Sequence, residues 1–263
     1  MSEASDKYER DVAANINGTI KGLMAERPVV STSFPDVRMK YKYLNEVWLE
    51  VKMNHTDNMM NPRFSYIDGK WITPESYKSP GTDRLCQLWN ASLDAKRWIE
   101  NLKIHLLKNN FKGDVSKISL YSSKTERKKD QNSIYVEEMK GYLETLPNKN
   151  ICKVPNVNVG ELATLHYLKG KAAPAHYLSS GDDFYQFGTG NPLRIPGSIQ
   201  NMPNVPVFAS SAGTNEVVLR VGDRSSNFEI QAEVKARHLT KSDYSVKPGS
   251  TKLNPFRFID PRL

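Results

Sequence analysis

"SFPDVRMKYKYLNEVWLEVKMN", residues 33–54, reads as two strands joined by a short turn, and the rest of the fold is organised around it. Apolar and polar residues alternate through both arms, about 36–44 and 47–53, the period of strands that turn one face to a core. In the second arm Val47, Leu49, Val51 and Met53 share one face, while Trp48, Glu50 and Lys52 share the other. Asp36 opens the first arm. Two carboxylates and an amine therefore crowd one small hairpin. Hard cations such as Mg2+ take carboxylate oxygens. A metal held there polarises a phosphate and lowers the pKa of a bound water. Lys52 stands where it can stabilise charge developing on that phosphate. The simpler alternative is an exposed face with a cross-strand ion pair, and Lys40 and Lys42 show that the hairpin has a polar face in any case.

Strand register decides between them. A two-residue turn at Asn45-Glu46 pairs Leu44 with Val47, so that partners sum to 91 and Asp36 falls opposite His55. Asp36 then shares the face of Val51 and Met53, away from Glu50. A shared site needs an even sum, reached by a loop of odd length or a β-bulge. A sum of 86 sets Asp36 directly opposite Glu50, with the loop centred near Tyr43. The expectation is such a loop or bulge, with the two carboxylates about 4–6 Å apart, given Mg–oxygen distances of about 2.1 Å.

Pro35-Asp36, thirteen residues, then Glu50-Val51-Lys52 resembles the signature of the PD-(D/E)xK nuclease superfamily, which includes restriction endonucleases, phage exonucleases and junction resolvases. The order helix, hairpin, helix, strand out to about residue 146 is also similar to that family's core. The resemblance implies a restriction-endonuclease-like α/β (α+β) core, a mixed central sheet flanked by helices. It also implies Mg2+ as cofactor, with Mn2+ as a substitute, and DNA as substrate. Asp36 and Glu50 would be metal ligands and Lys52 the transition-state contact.

Residues 6–26 read as the helix before the hairpin, with Val12, Ile16, Ile20 and Leu23 at helical spacing and Pro28 just beyond. Glu9 falls in the middle of that apolar arc, where an acid is costly unless paired or metal-bound. The resemblance implies that Glu9 reaches the catalytic site. The other reading is a capping box, with Asp6 as N-cap and Glu9 at the third helical position.

Downstream, 54–81 is rich in turn formers. Residues 82–108 read as one helix or a helix pair with Leu85, Trp89, Ile99, Leu102 and Leu106 on the apolar side. "VSKISLYS" (115–122) reads as a strand and "IYVEEMKGYLETL" (134–146) as a helix. After about 148, Pro and Gly become frequent and strand-like runs dominate, at 216–222 and 227–239. The expected division is a nuclease core over 1–148 and a β-rich recognition or dimerisation region over 149–263. Within the latter, Arg220, Arg224, Lys235 and Arg237 are spaced to line one surface and contact DNA as phosphate clamps or through base edges. Oligomeric state is open, with a homodimer as one option.

A second acid and E-x-K set, Asp223 with Glu233-Val234-Lys235, lacks the proline, has shorter spacing, and is followed by too little chain to build such a core. It is better read as a polar-faced strand. "GTGNP" from 188 lacks the lysine and spacing of a phosphate loop. The cluster Lys124, Arg127, Lys128 and Lys129 reads as a solvated turn. His166, His176 and Cys152 show no metal-ligand spacing and are assigned to surface or core. Trp71, Trp89 and Trp98 read as packing residues.

Composition fits these readings. Over 263 residues, Lys and Arg outnumber Asp and Glu by 37 to 29, a formal charge of +8 that favours polyanionic partners, nucleic acid before membrane. Two cysteines are too few for a disulfide framework and read as reduced thiols of a cytoplasmic protein. The polar start "MSEASDKYERDV" is unlike a signal peptide, and no apolar run approaches the ~20 residues of a membrane span. A metal-dependent DNA endonuclease is the leading functional reading. A non-catalytic nucleic-acid-binding or assembly protein, with viral origin as one option, is the alternative.

Overall fold

The computed structural model describes residues 3–28, 34–55, 57–60, 62–108, 117–118, 151–154, 159–187, 191–195, 208–210, 217–224, 227–238 and 241–263. The fold is α+β. The chain divides into two compact units interleaved in sequence: 1–57, 163–209 and 236–263 form one, and 58–162 with 210–235 form the other. These units cut across the division at residue 148 expected from composition.

The first unit begins with helix α1 (Glu3–Ile16), followed by strands β1 (Leu23–Glu26), β2 (Val37–Tyr41) and β3 (Val47–Lys52). Helix α4 (Val159–Thr164), of which 159–162 count with the second unit, runs on into a π-helical turn, Leu165–Lys169, and leads to β9 (Tyr177–Ser180) and β10 (Asp183–Gln186). These strands form a mixed five-stranded sheet in the order β1-β2-β3-β9-β10, with β3 and β9 parallel and the other pairs antiparallel. The strand that joins the hairpin therefore comes from 177–180, and not from the 82–146 stretch that local pattern suggested.

The expected helix over 6–26 is corrected. It begins three residues earlier and ends at Ile16. Gly18 and Gly22 adopt φ of 83° and 89°, the left-handed region that ends helices. The chain then reverses into β1, which alternates buried and exposed residues. Asn17 holds the reversal: its side chain donates to the Ala25 carbonyl and accepts from the Ala25 N–H, both at 2.6 Å. Because the helix starts at Glu3, Asp6 and Glu9 lie inside it, and the capping box does not form.

The hairpin register follows from the apolar residues. Val37 pairs with Leu49, Arg38 with Trp48 and Met39 with Val47. Partners sum to 86, and the connecting loop is Lys42–Glu46, with Lys42 at φ 50° and Tyr43 fully exposed. This register puts Val37, Met39 and Tyr41 on the same face as Val47, Leu49 and Val51, all buried in one core with Val12, Ile16, Tyr177, Phe184 and Phe256. A shift by one residue would turn these side chains to the other face and cost on the order of 1.5–3 kcal/mol for each large apolar group exposed.

The second unit carries the short strands β4 (Asn58–Met60), β5 (Ser65–Ile67) and β6 (Lys70–Ile72), the helices α2 (Pro80–Ala91) and α3 (Leu93–Lys108), and the strands β7 (Lys117–Ile118), β8 (Ile151–Val154), β12 (Val217–Arg224) and most of β13 (Asn227–His238); the boundary between the units falls within β11 (Phe208–Ser210) and near the end of β13. The helical stretch is a pair, broken at Ser92, whose hydroxyl accepts from the Ala95 N–H at 3.1 Å. Ser79 and Thr82 form a reciprocal capping box ahead of Pro80. Trp89 packs edge-on to Phe64, and Trp71 stacks with Trp98. The expected helix at 134–146, most of the strand at 115–122 and the basic cluster at 124–129 lie outside the described residues. No helix among the described residues is long and apolar enough to cross a membrane.

Candidate active site

β3 is the middle strand of its sheet, and both of its faces are buried. One face joins the core. The other carries Trp48, Glu50 and Lys52. Trp48 stacks on Phe34, ring centroids 5.1 Å apart. Glu50 is 1% exposed. Continuing the hairpin register by one residue places Asp36 opposite Glu50. Asp36 ends the approach to β2, and its carboxylate accepts from the Val51 N–H at 2.8 Å. The odd-length loop expected for a shared site is therefore present.

Glu50 is held from two sides. Its Oε1 accepts from Lys52 Nζ at 2.8 Å and its Oε2 from Lys171 Nζ at 2.5 Å. The π-helical turn supplies a cover: Tyr167, 1% exposed, sets its ring 5.9 Å from Lys52 Nζ and 6.0 Å from Lys171 Nζ. Single π-helical turns in proteins recur at functional sites. Lys171 and Tyr167 were missed by sequence reasoning. "LHYLKGK" has neither spacing nor motif to mark them, because the parallel β3–β9 pairing that brings this segment in spans more than a hundred residues.

The two carboxyl groups titrate far apart, the pattern of paired acids in unequal surroundings. Burial, and then the charge of Glu50, push Asp36 up to about 7. Burial also opposes ionisation of Glu50, but Lys171 and Lys52 outweigh it and hold the group down to about 2. Lys52 is raised well above its ordinary value: burial disfavours the ammonium, yet Glu50 and then Asp36 stabilise it. His166, assigned from sequence to surface or core, lies within electrostatic reach of this cluster, and burial followed by Lys171 pulls its imidazole down to about 3.

A stability prediction follows from Asp36. Its folded value, about 7, stands above the ~3.9 of an unfolded aspartate. The folded chain thus holds a proton that the unfolded chain releases across roughly pH 4–7. That contribution is complete below the unfolded value and disappears as pH rises through about 7. Asp36→Asn removes it. In urea titrations with EDTA, the stability of Asp36→Asn relative to wild type should rise with pH across that window, by roughly 1.4 kcal/mol for each pH unit. A difference that does not change with pH would show that Asp36 is ionised throughout.

Glu9 is the third acid. It is 4% exposed, so the cost of its position on the apolar arc is real. Ser5 Oγ donates to its Oε1 at 3.1 Å, and Arg27 Nε to its Oε2 at 2.7 Å. Its charge also adds to the upward push on Asp36. The structure therefore gathers Asp36, Glu50 and Lys52, and leaves Glu9 paired with Arg27.

Among the described residues, no group of three or more His, Cys, Asp or Glu is gathered as a metal cage. The Asp36–Glu50 pair still suits a hard divalent cation. Both offer carboxylate oxygens, burial and then the charge of Glu50 oppose the ionisation of Asp36 that a cation would favour, and Mg2+ ordinarily takes one or two carboxylates and keeps water in its other positions.

β12 and β13 pair antiparallel, with Arg220 opposite Gln231, Arg224 opposite Asn227, Asp223 opposite Phe228 and Val218 opposite Glu233. Directly opposed positions share a face. The positions of Asp223 and Glu233 thus fall on opposite faces of the strand pair. The positions of Arg220 and Arg224 share the face of Gln231 and Glu233, and Lys235 lies where the pairing of β13 with β4 shifts. The side chains of Arg220, Arg224, Lys235 and Arg237, and residues 188–190 of "GTGNP", lie outside the described residues. Elsewhere in the first unit, a polar cleft of about 530 Å3 is lined by Asn15, Ser250, Asn254 and the cations Lys247, Lys252 and Arg257. No family model, no curated protein and no solved structure matches the chain.

Proposed function

We propose that this chain is a Mg2+-dependent deoxyribonuclease, acting as an endonuclease on phosphodiester bonds, with a restriction-endonuclease-like core. The observation that carries the reading is the register that sets Asp36 opposite a buried Glu50 beside Lys52. The helix α1, the hairpin β2–β3 and the strand β9 parallel to β3 support it, since a helix, a hairpin and a further strand are among the elements that the resemblance led one to expect, although the strand comes from 177–180 and not from the stretch before 146.

Asp36 and Glu50 would hold the metal. When bound, Mg2+ supplies polarisation of the phosphate and a water acidic enough to attack it. Lys52, whose side chain is 22% exposed, keeps its amine charged and can donate to the phosphate oxygen that gains charge. Tyr167 covers the cluster and limits water around it. The net charge of +8 and the cleft of Lys247, Lys252 and Arg257 favour a polyanionic substrate.

One observation favours the non-catalytic reading: Glu50 is already neutralised within the chain by two lysines. Plasmid and linear DNA incubated with Mg2+ or with EDTA separate the two. Nicking or cutting with Mg2+ and none with EDTA is the expected result. A mobility shift with no cleavage under any divalent cation would leave a binding protein.

A further inference from the structure

Each carboxylate oxygen of Glu50 already accepts from a lysine, and the two lysines differ in kind. Lys52 lies two residues along the same strand and is partly exposed, as a group that must meet a substrate should be. Lys171 reaches in from the bend after the π-helical turn. Its side chain is 8% exposed. Among the described residues it also meets the Phe34 carbonyl at 3.4 Å and the face of Tyr167, and its charge acts on Asp36 and His166. An ammonium buried so deeply is stable only while it faces a carboxylate. A divalent cation on the same oxygen would face that ammonium at close range, and two cations cannot share one buried carboxylate oxygen without strong repulsion.

We infer that Lys171 is a resident counter-ion: it occupies on Glu50 the place that a divalent cation takes, and it must withdraw for the cation to bind. This rests on the reading of Asp36 and Glu50 as the metal-holding pair. The chain around Lys171 suits such a movement. The lysine stem is flexible, and residues 170–173 are bends rather than helix or strand, with the small Ala172 and Ala173 following it. Lys171 thereby competes with the cation for Glu50, and it sets the cation concentration at which the site loads.

The test is Mn2+ binding by titration calorimetry, without nucleic acid, to wild type, Lys171→Met, Lys171→Arg and Glu50→Gln, with thermal unfolding of each with and without Mn2+. Lys171→Met should bind Mn2+ more tightly than wild type, on the order of tenfold, the scale of one charge-assisted hydrogen bond no longer competing. Without metal its unfolding temperature should fall, and saturating Mn2+ should restore it. Lys171→Arg, which keeps the charge, should bind no more tightly than wild type, and Glu50→Gln should lose both effects. If Lys171→Met does not fold, Lys171→Gln takes its place. Equal or weaker Mn2+ binding by the neutral variant, with wild type binding normally, overturns the inference and leaves the metal pair intact. Absence of Mn2+ binding in folded wild type and folded Lys171→Met alike removes the metal reading, and this inference with it.

Discussion

Asp36→Asn and Glu50→Gln should each lower Mg2+-dependent DNA cleavage by roughly a thousandfold or more, in proteins that remain folded. Each substitution replaces a proposed carboxylate ligand with a neutral amide of nearly the same shape. The metal's stabilisation of the transition state is worth several kcal/mol, and about 4 kcal/mol corresponds to three decades in rate. Asn at position 36 keeps an oxygen to accept the Val51 N–H, so the hairpin bond survives. Gln at position 50 keeps one acceptor for the two lysines but loses their charge partner, so some loss of stability accompanies the loss of activity. Single-turnover rates, with circular dichroism and thermal unfolding as controls, decide the matter. Lys52→Ala belongs to the same series and should slow the chemical step by orders of magnitude. Wild-type rates in folded Asp36→Asn and Glu50→Gln would sink the proposed site.

Arg27→Ala should destabilise the protein by about 3–5 kcal/mol, the cost of removing one partner from a buried ion pair. Glu9 is 4% exposed, and Arg27 supplies its 2.7 Å charged contact as well as a 2.8 Å contact to Asp6. Truncation strands a carboxylate among Val12, Ala13 and Ile16. Urea unfolding in EDTA measures the loss. The double variant Arg27→Met with Glu9→Leu should recover most of it, because burying neither charge costs less than burying one alone. Repeating the unfolding of Arg27→Ala with Mg2+ tests Glu9 separately. Recovery by the metal assigns the freed carboxylate to the metal site, and no recovery confines Glu9 to its pair with Arg27. A loss under 1 kcal/mol would show that Glu9 reaches water or another cation in the variant.

Much of the site was present in local pattern. Val37, Met39 and Tyr41 had to share a face with Val47, Leu49 and Val51, and only an even register allows it. The parity of the hairpin, and with it the approach of Asp36 to Glu50, was therefore contained in residues 36–52. Glu9 on the apolar arc of its helix was equally visible, since burial follows the 3.6-residue period there. The same period misled further along. Ile20 and Leu23 continue it by coincidence, whereas Gly18 and Gly22 had already ended the helix.

What only the tertiary structure decided depends on contacts distant in sequence. Arg27 rather than a helix cap meets Glu9, because the chain reverses at Asn17 and returns beside α1. Lys171 meets Glu50 across 121 residues, because β9 adds to β3 in parallel and its preceding segment comes to lie over the polar face. Parallel pairing leaves no turn signal in the sequence, since its partners are joined by long crossovers whose length the pattern does not specify. Alternation along residues 33–54 determined which side chains face the core. Which charges meet them on the other face was settled only when the strand at 177–180 took its place beside the hairpin.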